Sequence, residues 1–287
     1  MERPLFDIFL YPVSAILWFW HTIFGTLLSP DSGVAWVLAI VFLVWSIRAL
    51  LIRPALSQLR AARRTQKLAP QLKKIREKYG KDRQRVAREI QKLHADNGSS
   101  PFGGCLPALL QIPVFLSLYW VLRDFTPGAR SNHVFDRAGV ESFLNADLFG
   151  AKLGNWLSQP VADLAAFGTD RPHMIAVGIP LMLVASAATF LSMRMSLRRQ
   201  AEINPDMNPQ LATVSRLMMY LAPAGMLVSG SFFPVPIGVL LYFLATNVWS
   251  LGQLHFLTAK VDREEAATVL EKPKAQAPKP GQKPKRR

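Results

Sequence analysis

The sequence predicts an all-α integral membrane protein, with a five-transmembrane-helix core, a cytoplasmic helical hairpin and an outer amphipathic helix. Half of the residues are hydrophobic and the mean hydropathy is +0.18, yet the formal net charge is +15. Both facts hold because the charges are separated from long apolar segments, each about as long as a helix must be to cross a bilayer. Cys105 is the only cysteine, which excludes a disulfide framework and a cysteine-based metal cluster.

Five apolar segments are long enough to span, and the charges between them set their orientation. These segments are residues 34–52, 105–122, 173–193, 213–232 and 236–257. Residues 53–104 hold 14 Lys and Arg against 4 Asp and Glu, whereas residues 124–171 hold 4 against 6. The positive-inside rule therefore places the first connection in the cytoplasm, the second outside, and the C-terminus in the cytoplasm.

The chain divides accordingly into seven parts. They are an outer-face amphipathic helix (1–32), the first transmembrane helix (33–54), a cytoplasmic basic helical hairpin (55–100), the second transmembrane helix (101–123), an extracytoplasmic loop (124–171), transmembrane helices three to five with short connections (172–257), and a basic disordered cytoplasmic tail (258–287).

The first apolar segment, residues 8–28, allows two assignments. Hydropathy favours a sixth span. Asp7, Tyr11, Ser14 and Trp18 instead follow one another at helical steps and form one polar and amphipathic stripe. We therefore assign a helix lying in the outer membrane surface, and the next span runs inward under either assignment.

Residues 55–100 have the pattern of a helical hairpin. Apolar residues recur at helical spacing, Gly80 can end the first helix, and Asp82 can cap the second. The other faces carry Lys, Arg and Gln, which attract phosphate-rich partners such as the ribosome or anionic lipids. A charged face that is merely solvated is the alternative. The Lys- and Pro-rich tail cannot bury a core, so we expect it to be disordered and to suit the same partners.

Arg48 stands inside an otherwise apolar run, and an arginine near the centre of a spanning helix costs about 2.5 to 3.5 kcal/mol. The other long apolar segments contain no Asp or Glu. The guanidinium is therefore expected in a hydrated recess, unless it lies near the cytoplasmic end and extends to the headgroups beside Arg53.

Two other spans carry polar or helix-breaking residues. In the second span, Gly103 and Gly104 allow close backbone approach, while Pro107 and Pro113 remove backbone donors. Gln111 lies on the small-residue side of that span. The last span has a polar stripe, which indicates either a wet lining or interhelical hydrogen bonds; its members are Phe243, Thr246, Asn247, Ser250 and Gln253.

Taken together, these motifs resemble the YidC/Oxa/Alb family of membrane protein insertases, most closely its actinobacterial branch. The resemblance covers about residues 5–260. It rests on Arg48 with Pro54, Pro70-Gln71, residues 78–82, residues 103–107 and 111–115, Phe233-Pro234, Leu241-Tyr242 and Asn247.

The resemblance implies a hydrophilic groove that is open to the cytoplasm and to lipid but closed toward the outside. Arg48 matches the groove arginine of the family. Phe243 replaces a tyrosine of some members, so a hydroxyl is missing there. We predict a substrate groove formed by Arg48, Gln111, Phe243, Thr246, Asn247 and Gln253, with Gly103, Gly104, Pro107 and Pro113 in helix packing.

The implied function is insertion and folding of newly made membrane proteins in the bacterial plasma membrane. The implied clients are nascent membrane proteins. The ribosome and anionic lipids are further candidate partners, and action beside a Sec translocon is an alternative to action alone. The sequence lacks a Gly-rich nucleotide loop and the motifs of a hydrolase or metal enzyme, so we expect neither a cofactor nor enzymatic activity. A small-solute transporter or ion channel is the alternative, although no repeated halves are evident.

Overall fold

The computed structural model describes residues 4–80, 82–97, 106–203 and 209–276, and most of them are helical. The helices are α1 (Pro4–Leu28), α2 (Gly33–Leu50), α3 (Ile52–Lys67), α4 (Ala69–Tyr79), α5 (Arg83–Asp96), α6 (Leu106–Asp124), α7 (Arg137–Asn145), α8 (Val161–Ala166), α9 (Arg171–Ile203), α10 (Pro209–Phe232) and α11 (Ile237–Gln276). Two short strands, β1 (Asp147–Leu148) and β2 (Ala151–Lys152), pair in antiparallel fashion.

Within the described residues, four helices are long and apolar enough to cross a membrane. They are Asp7–Leu28, Gly33–Leu50, Arg171–Ala201 and Ile237–Ala267. The predicted spans at 105–122 and 213–232 lie largely in helices α6 and α10. Helix α11 packs against α2, α6 and α9, while α10 packs on α9. Many large apolar side chains of α9 and α10 remain on the outside of this bundle, as expected for surfaces that face lipid.

Residues 125–170, which we call the cap, fold over one end of the bundle. The sequence predicts an extracytoplasmic loop here, whereas the structure contains α7, α8 and the β1–β2 hairpin. The rings of Phe125 and Phe143 stack with centroids 4.1 Å apart, and Trp36 of α2 packs edge-on against Phe143 at 4.9 Å. These aromatic residues are irregularly spaced in the sequence, so no periodic pattern revealed their common core.

The cap also completes the first turn of α11. The backbone N–H of Ile237 donates to the carbonyl of Asn155 at 2.9 Å, and that of Gly238 donates to the carbonyl of Leu153 at 2.8 Å. The first N–H groups of a helix have no acceptor inside the helix, and here the cap supplies acceptor carbonyls for two of these groups. The start of α11 is therefore fixed to the cap.

Helix α1 contacts the cap end of the bundle at two places along its length. Near its beginning, the ring of Tyr11 lies 5.5 Å from that of His133, and the Ser14 hydroxyl accepts a hydrogen bond from the backbone of Val134. Further along, His21 stacks on Trp36 at 3.7 Å.

Helices α3 and α11 form a paired strut at the opposite end. Arg60 binds Glu264 through two hydrogen bonds of 3.0 and 2.8 Å, Lys67 binds Glu265 at 3.0 Å, and Arg63 binds Asp262. Leu56 and Val261 are buried in the same strut.

The C-terminal segment of the chain differs from its prediction, because the strut keeps part of it helical. Helix α11 continues to Gln276, so residues 258–276 are helical where the sequence analysis expected disorder. The reason is local. The acidic residues at 262, 264 and 265 meet the cations of α3, whereas the prediction used only the net basic charge of the segment. The rest of the predicted tail, residues 277–287, lies outside the described residues.

Helices α4 and α5 form the hairpin between α3 and the undescribed residues 98–105. The Asp82 side chain accepts a hydrogen bond from the backbone N–H of Arg85 at 3.0 Å, which is the cap that the sequence indicated. The Arg85 guanidinium lies 4.7 Å from the centre of the Tyr79 ring. Helix α4 has no buried residue, so the hairpin carries little apolar packing.

Candidate functional site

Arg48 lies in the last turn of α2 and is directed between helices. Its position is thus closer to the end of the span than the sequence analysis assumed. The side chain lines a cavity with Gln111 of α6 and Tyr242 of α11. The other lining residues are Leu43, Val44, Ile47, Val114 and Leu118, all apolar. The cavity has a volume of about 10 Å³, close to the smallest that holds one water molecule.

The guanidinium of Arg48 is not fully satisfied by the protein. Its Nε is buried and has no hydrogen-bond partner among the described residues. Leaving a buried donor unpaired costs about 1 to 3 kcal/mol, and more for a charged group. No carboxylate lines this cavity. The recess therefore has room for about one water molecule, and its guanidinium keeps hydrogen-bonding capacity that the described residues do not use.

Gln111 and Tyr242 connect the two helices that face Arg48. The Gln111 amide nitrogen donates to the Tyr242 hydroxyl oxygen, and this bond joins α6 to α11. Tyr242 is only 3 % exposed, so the bond lies inside the bundle. Tyr242 belongs to the motifs that carry the family resemblance, but it is not among the predicted groove residues. Its place one turn before Thr246 on the polar stripe was a signal for it.

A larger cavity of about 460 Å³ lies between α6, α9, α10 and α11. Phe243, Thr246 and Asn247 line it. The other lining residues are Phe115, Leu116, Tyr119, Thr189, Ala222, Met226, Val235 and Val239, which make it mostly apolar. The Phe115 ring lies 5.7 Å from that of Tyr242 and 5.5 Å from that of Phe243. These three rings therefore stand between the two cavities.

Asn247 and Gln253 make hydrogen bonds within the protein. Asn247 donates to the Thr189 hydroxyl at 2.8 Å and to the Phe243 carbonyl at 2.9 Å, which ties α11 to α9. Gln253 accepts a hydrogen bond from the indole of Trp249 at 2.7 Å and lines neither of these two cavities. Thus Asn247 follows the alternative of interhelical bonding that the sequence left open.

The structure distributes the predicted groove residues between two neighbouring cavities. Arg48 and Gln111 line the small one, and Phe243, Thr246 and Asn247 line the large one. Among the predicted packing residues, Pro107 is the second residue of α6 and Pro113 lies inside that helix. Gly103 and Gly104 lie outside the described residues. In the described part of the chain, no group of three or more His, Cys, Asp or Glu is placed to hold a metal ion.

Comparison with known proteins shows which family this chain belongs to. The family model for the 60Kd inner membrane protein matches residues 27–264. The membrane protein insertase YidC of Mycolicibacterium paratuberculosis is 42 % identical, and the match covers 98 % of this chain and 86 % of that protein. The protein of the same name from Mycobacterium tuberculosis is also 42 % identical over 98 % of this chain and 81 % of that protein.

A third relative, the membrane protein insertase YidC of Streptomyces avermitilis, is 34 % identical over 87 % of this chain and 57 % of that protein. The chain belongs to the YidC/Oxa/Alb family of membrane protein insertases, and its matches include several actinobacterial members. The all-α integral membrane class predicted from the sequence is confirmed, and the protein is a multi-pass protein of the bacterial membrane. The family function is membrane protein insertion.

Proposed function

We propose that this protein inserts newly made membrane proteins and helps them fold, using the Arg48 recess and the adjoining apolar cavity, without nucleotide hydrolysis. The observation that carries the proposal is the partly buried guanidinium of Arg48, whose Nε has no hydrogen-bond partner in the described part of the chain. A cation held in this way between helices has affinity left for an anionic group that arrives and departs.

The first step is capture of an acidic residue on the outward-moving flank of a client. Two opposite charges about 4 Å apart attract by about 4 kcal/mol at an effective dielectric of about 20. This attraction is large enough to recruit the flank and small enough to let it leave. The carboxylate would accept from the Arg48 guanidinium, while the Tyr242 hydroxyl keeps its bond from Gln111.

The second step is passage of the apolar segment of the client into lipid. The 460 Å³ cavity lies between α6 and α10, and α10 packs mainly on α9. The gap between α6 and α10 is therefore the natural exit for an apolar helix. Burying a strongly apolar residue in lipid contributes about −0.3 to −0.6 kcal/mol, so a 20-residue segment supplies several kcal/mol. This energy offsets the transfer of a short polar flank.

We also propose the topology. Helices α2, α6, α9, α10 and α11 cross the bilayer, the cap faces the outside, and α3 to α5 and the C-terminus face the cytoplasm. The distribution of basic residues supports this orientation. We assign α1 to the outer membrane surface because Tyr11, near its beginning, contacts His133 of the cap, although Trp20 further along donates to Ser46 of α2 and also joins α1 to that helix. A helix crossing antiparallel to α2 would place Tyr11 near the opposite end.

The exposed cations of α4 and α5 suit a ribosome that delivers the client and the anionic lipids of the inner leaflet. Within the described residues, these cations form few ion pairs, and their helices pack little against the rest of the chain. Action beside a Sec translocon remains compatible with this arrangement, because the gap between α6 and α10 faces outward from the bundle.

Purified protein in liposomes tests the proposal. A single-span client with an acidic flank should insert without any nucleotide, and should insert only slowly into empty liposomes. Equal insertion with and without the protein would refute the insertase function. Ion flux through the liposomes in the absence of a client would instead support the channel alternative.

A further inference from the structure

One face of α11 joins the Arg48 cavity to the cytoplasmic end of the helix. Starting from Tyr242, steps of four and three residues alternate along this face and end at Arg263. The members of this α11 track are Tyr242, Thr246, Trp249, Gln253, Phe256, Lys260 and Arg263. Residues separated by three and four positions share a helix face, and α11 is continuous from Ile237 to Gln276. The track is therefore a single strip along one side of the helix.

The lower part of the track, from Phe256 to Arg263, is the part nearest the cytoplasmic end of α11 and lies at the membrane boundary. Helix α11 begins at the cap, and about 20 residues at about 1.5 Å each cross the hydrocarbon core. Phe256 therefore lies near the cytoplasmic interface, and Lys260 and Arg263 lie beyond it. A surface depression of about 430 Å³ is present there, lined by His255, Phe256, Ala259, Lys260, Arg263 and Glu264. Phe256 is 73 % exposed, which is unusual for a large apolar residue unless it faces lipid or a partner.

Glu264 lines the depression together with Lys260 and Arg263, and its carboxylate is paired with Arg60 of α3. The acidic residues Asp262, Glu264 and Glu265 bind Arg63, Arg60 and Lys67 of α3 and are thereby neutralised. Lys260 and Arg263 are exposed and form no ion pair with the described residues. The depression is therefore positively charged on balance. Its long-range attraction acts on anionic groups in the cytoplasm.

We propose that Lys260 and Arg263, with Phe256, form a cationic binding site at the cytoplasmic end of α11. This site, which we call the outer station because it lies outside the bundle, binds the acidic flank of a client before the flank reaches Arg48. The inference rests on the proposed function and adds a first binding site to it. The occupant is an acidic peptide segment. The continuity of the track with the Arg48 cavity favours such a segment over a lipid headgroup, since a headgroup site needs no connection to the interior of the bundle. Phe256 would contact the apolar residues next to the flank.

Insertion into liposomes with two matched clients tests the station. One client has an acidic flank and the other has a neutral flank of the same length. The double variant Lys260→Gln/Arg263→Gln should slow insertion of the acidic client about tenfold at low salt, because removing steering charges acts on the association rate. The neutral client should insert at the normal rate, which also shows that the variant is folded.

Arg194→Gln/Arg198→Gln is the matched control, because it removes two exposed cations one turn apart on α9, away from the track. It should affect neither client. Equal slowing of both clients by the Lys260/Arg263 variant, in proportion to the anionic lipid content, would identify a lipid headgroup site and overturn the inference. A normal rate for the acidic client would overturn it as well.

Arg48→Ala in the same assay separates this inference from the proposed function. If Arg48→Ala selectively slows the acidic client and the Lys260/Arg263 variant does not, the outer station is wrong and the inner recess stands. If Arg48→Ala leaves both clients unaffected, capture at Arg48 is wrong, and so is the inference that the station acts before Arg48.

Discussion

Arg48 combines two properties that a residue seldom has together in a membrane protein. It lies in the last turn of its helix, where a cation is favoured by the helix dipole, yet it is directed into a cavity between helices instead of into the headgroups. The first property lowers the cost of keeping the charge. The second is the basis of the proposed capture of a client's acidic flank.

We predict that Arg48→Ala reduces insertion of clients with acidic flanks more than insertion of neutral clients. Arg48→Lys should retain a large share of the activity, because a point charge is sufficient for attraction. Insertion rates in liposomes for the two client types measure this. An equal loss for both types would show that Arg48 acts through packing and not through its charge.

The Gln111–Tyr242 bond gives a second prediction at the residue scale. Tyr242→Phe removes the acceptor and leaves the Gln111 amide unpaired inside the bundle, which should lower the unfolding free energy by about 1 to 3 kcal/mol. The double variant Gln111→Leu/Tyr242→Phe removes both partners and should be more stable than Tyr242→Phe alone. Thermal unfolding in detergent measures both. If the double variant is less stable than both the wild type and Tyr242→Phe, the unpaired Gln111 amide is not the cause of the loss in Tyr242→Phe.

At the scale of single elements, the hairpin of α4 and α5 differs most from the spans. Helix α4 has no buried residue, and the outer faces of both helices are charged. We therefore expect it to move relative to the spans. Hydrogen exchange should be faster in residues 69–96 than in α2 and in the first half of α11. Slow exchange throughout the hairpin, matching the spans, would contradict this.

The strut of α3 and α11 is the element that keeps the end of the last helix ordered. Each of its exposed ion pairs contributes only about 0 to 1 kcal/mol, but the three act together. The triple variant Asp262→Asn/Glu264→Gln/Glu265→Gln should raise hydrogen exchange in residues 258–276 and leave the buried part of α11 unchanged. High salt should have the same effect on the wild-type strut. Unchanged exchange in the triple variant would show that apolar burial in the strut, as at Leu56 and Val261, is sufficient.

The elements differ in how far the sequence predicted them. The helical class and the helix ends at Gly80 and Asp82 depend on local pattern, so composition and spacing were enough. The cap, residues 125–170, depends on contacts among the rings of Phe125, Phe135 and Phe143, and the spacing of these residues follows neither a helix nor a strand period. The strut depends on acids of α11 meeting cations of α3 about 200 positions away, and net charge hides such pairing.

The site residues named from the sequence stay a prediction, and the sequence did not indicate how they are arranged. A polar stripe on a helix can face water or another helix, and only the structure distinguishes these cases. Thr246 and Asn247 both line the large cavity, but Asn247 also donates to Thr189 of α9 and so joins two helices. The role of Tyr242 depends on Gln111 of a different helix and therefore could not follow from the stripe alone.

At the scale of the whole molecule, the two ends of the bundle have opposite properties. The cap closes one end, with its carbonyls fixed to the start of α11 and its rings packed on α2. The other end carries the cationic strut, the hairpin and the lower part of the α11 track. A basic end and an aromatic, cap-covered end are what the proposed movement of a client from the cytoplasm into lipid would need.

The central claim, that this bundle holds a recess reached from the cytoplasm and used by clients, is tested most directly by thiol labelling. Single cysteines at Gln111 and Thr246, in a Cys105→Ser background, should react with a membrane-impermeant reagent added from the cytoplasmic side, and a bound client should protect them. Control cysteines at Ala39, packed in the core, and at Leu183, on the outside of α9, should stay unreactive. If Gln111 and Thr246 are as unreactive as these controls, the polar residues form a dry bundle, and the insertion mechanism is contradicted.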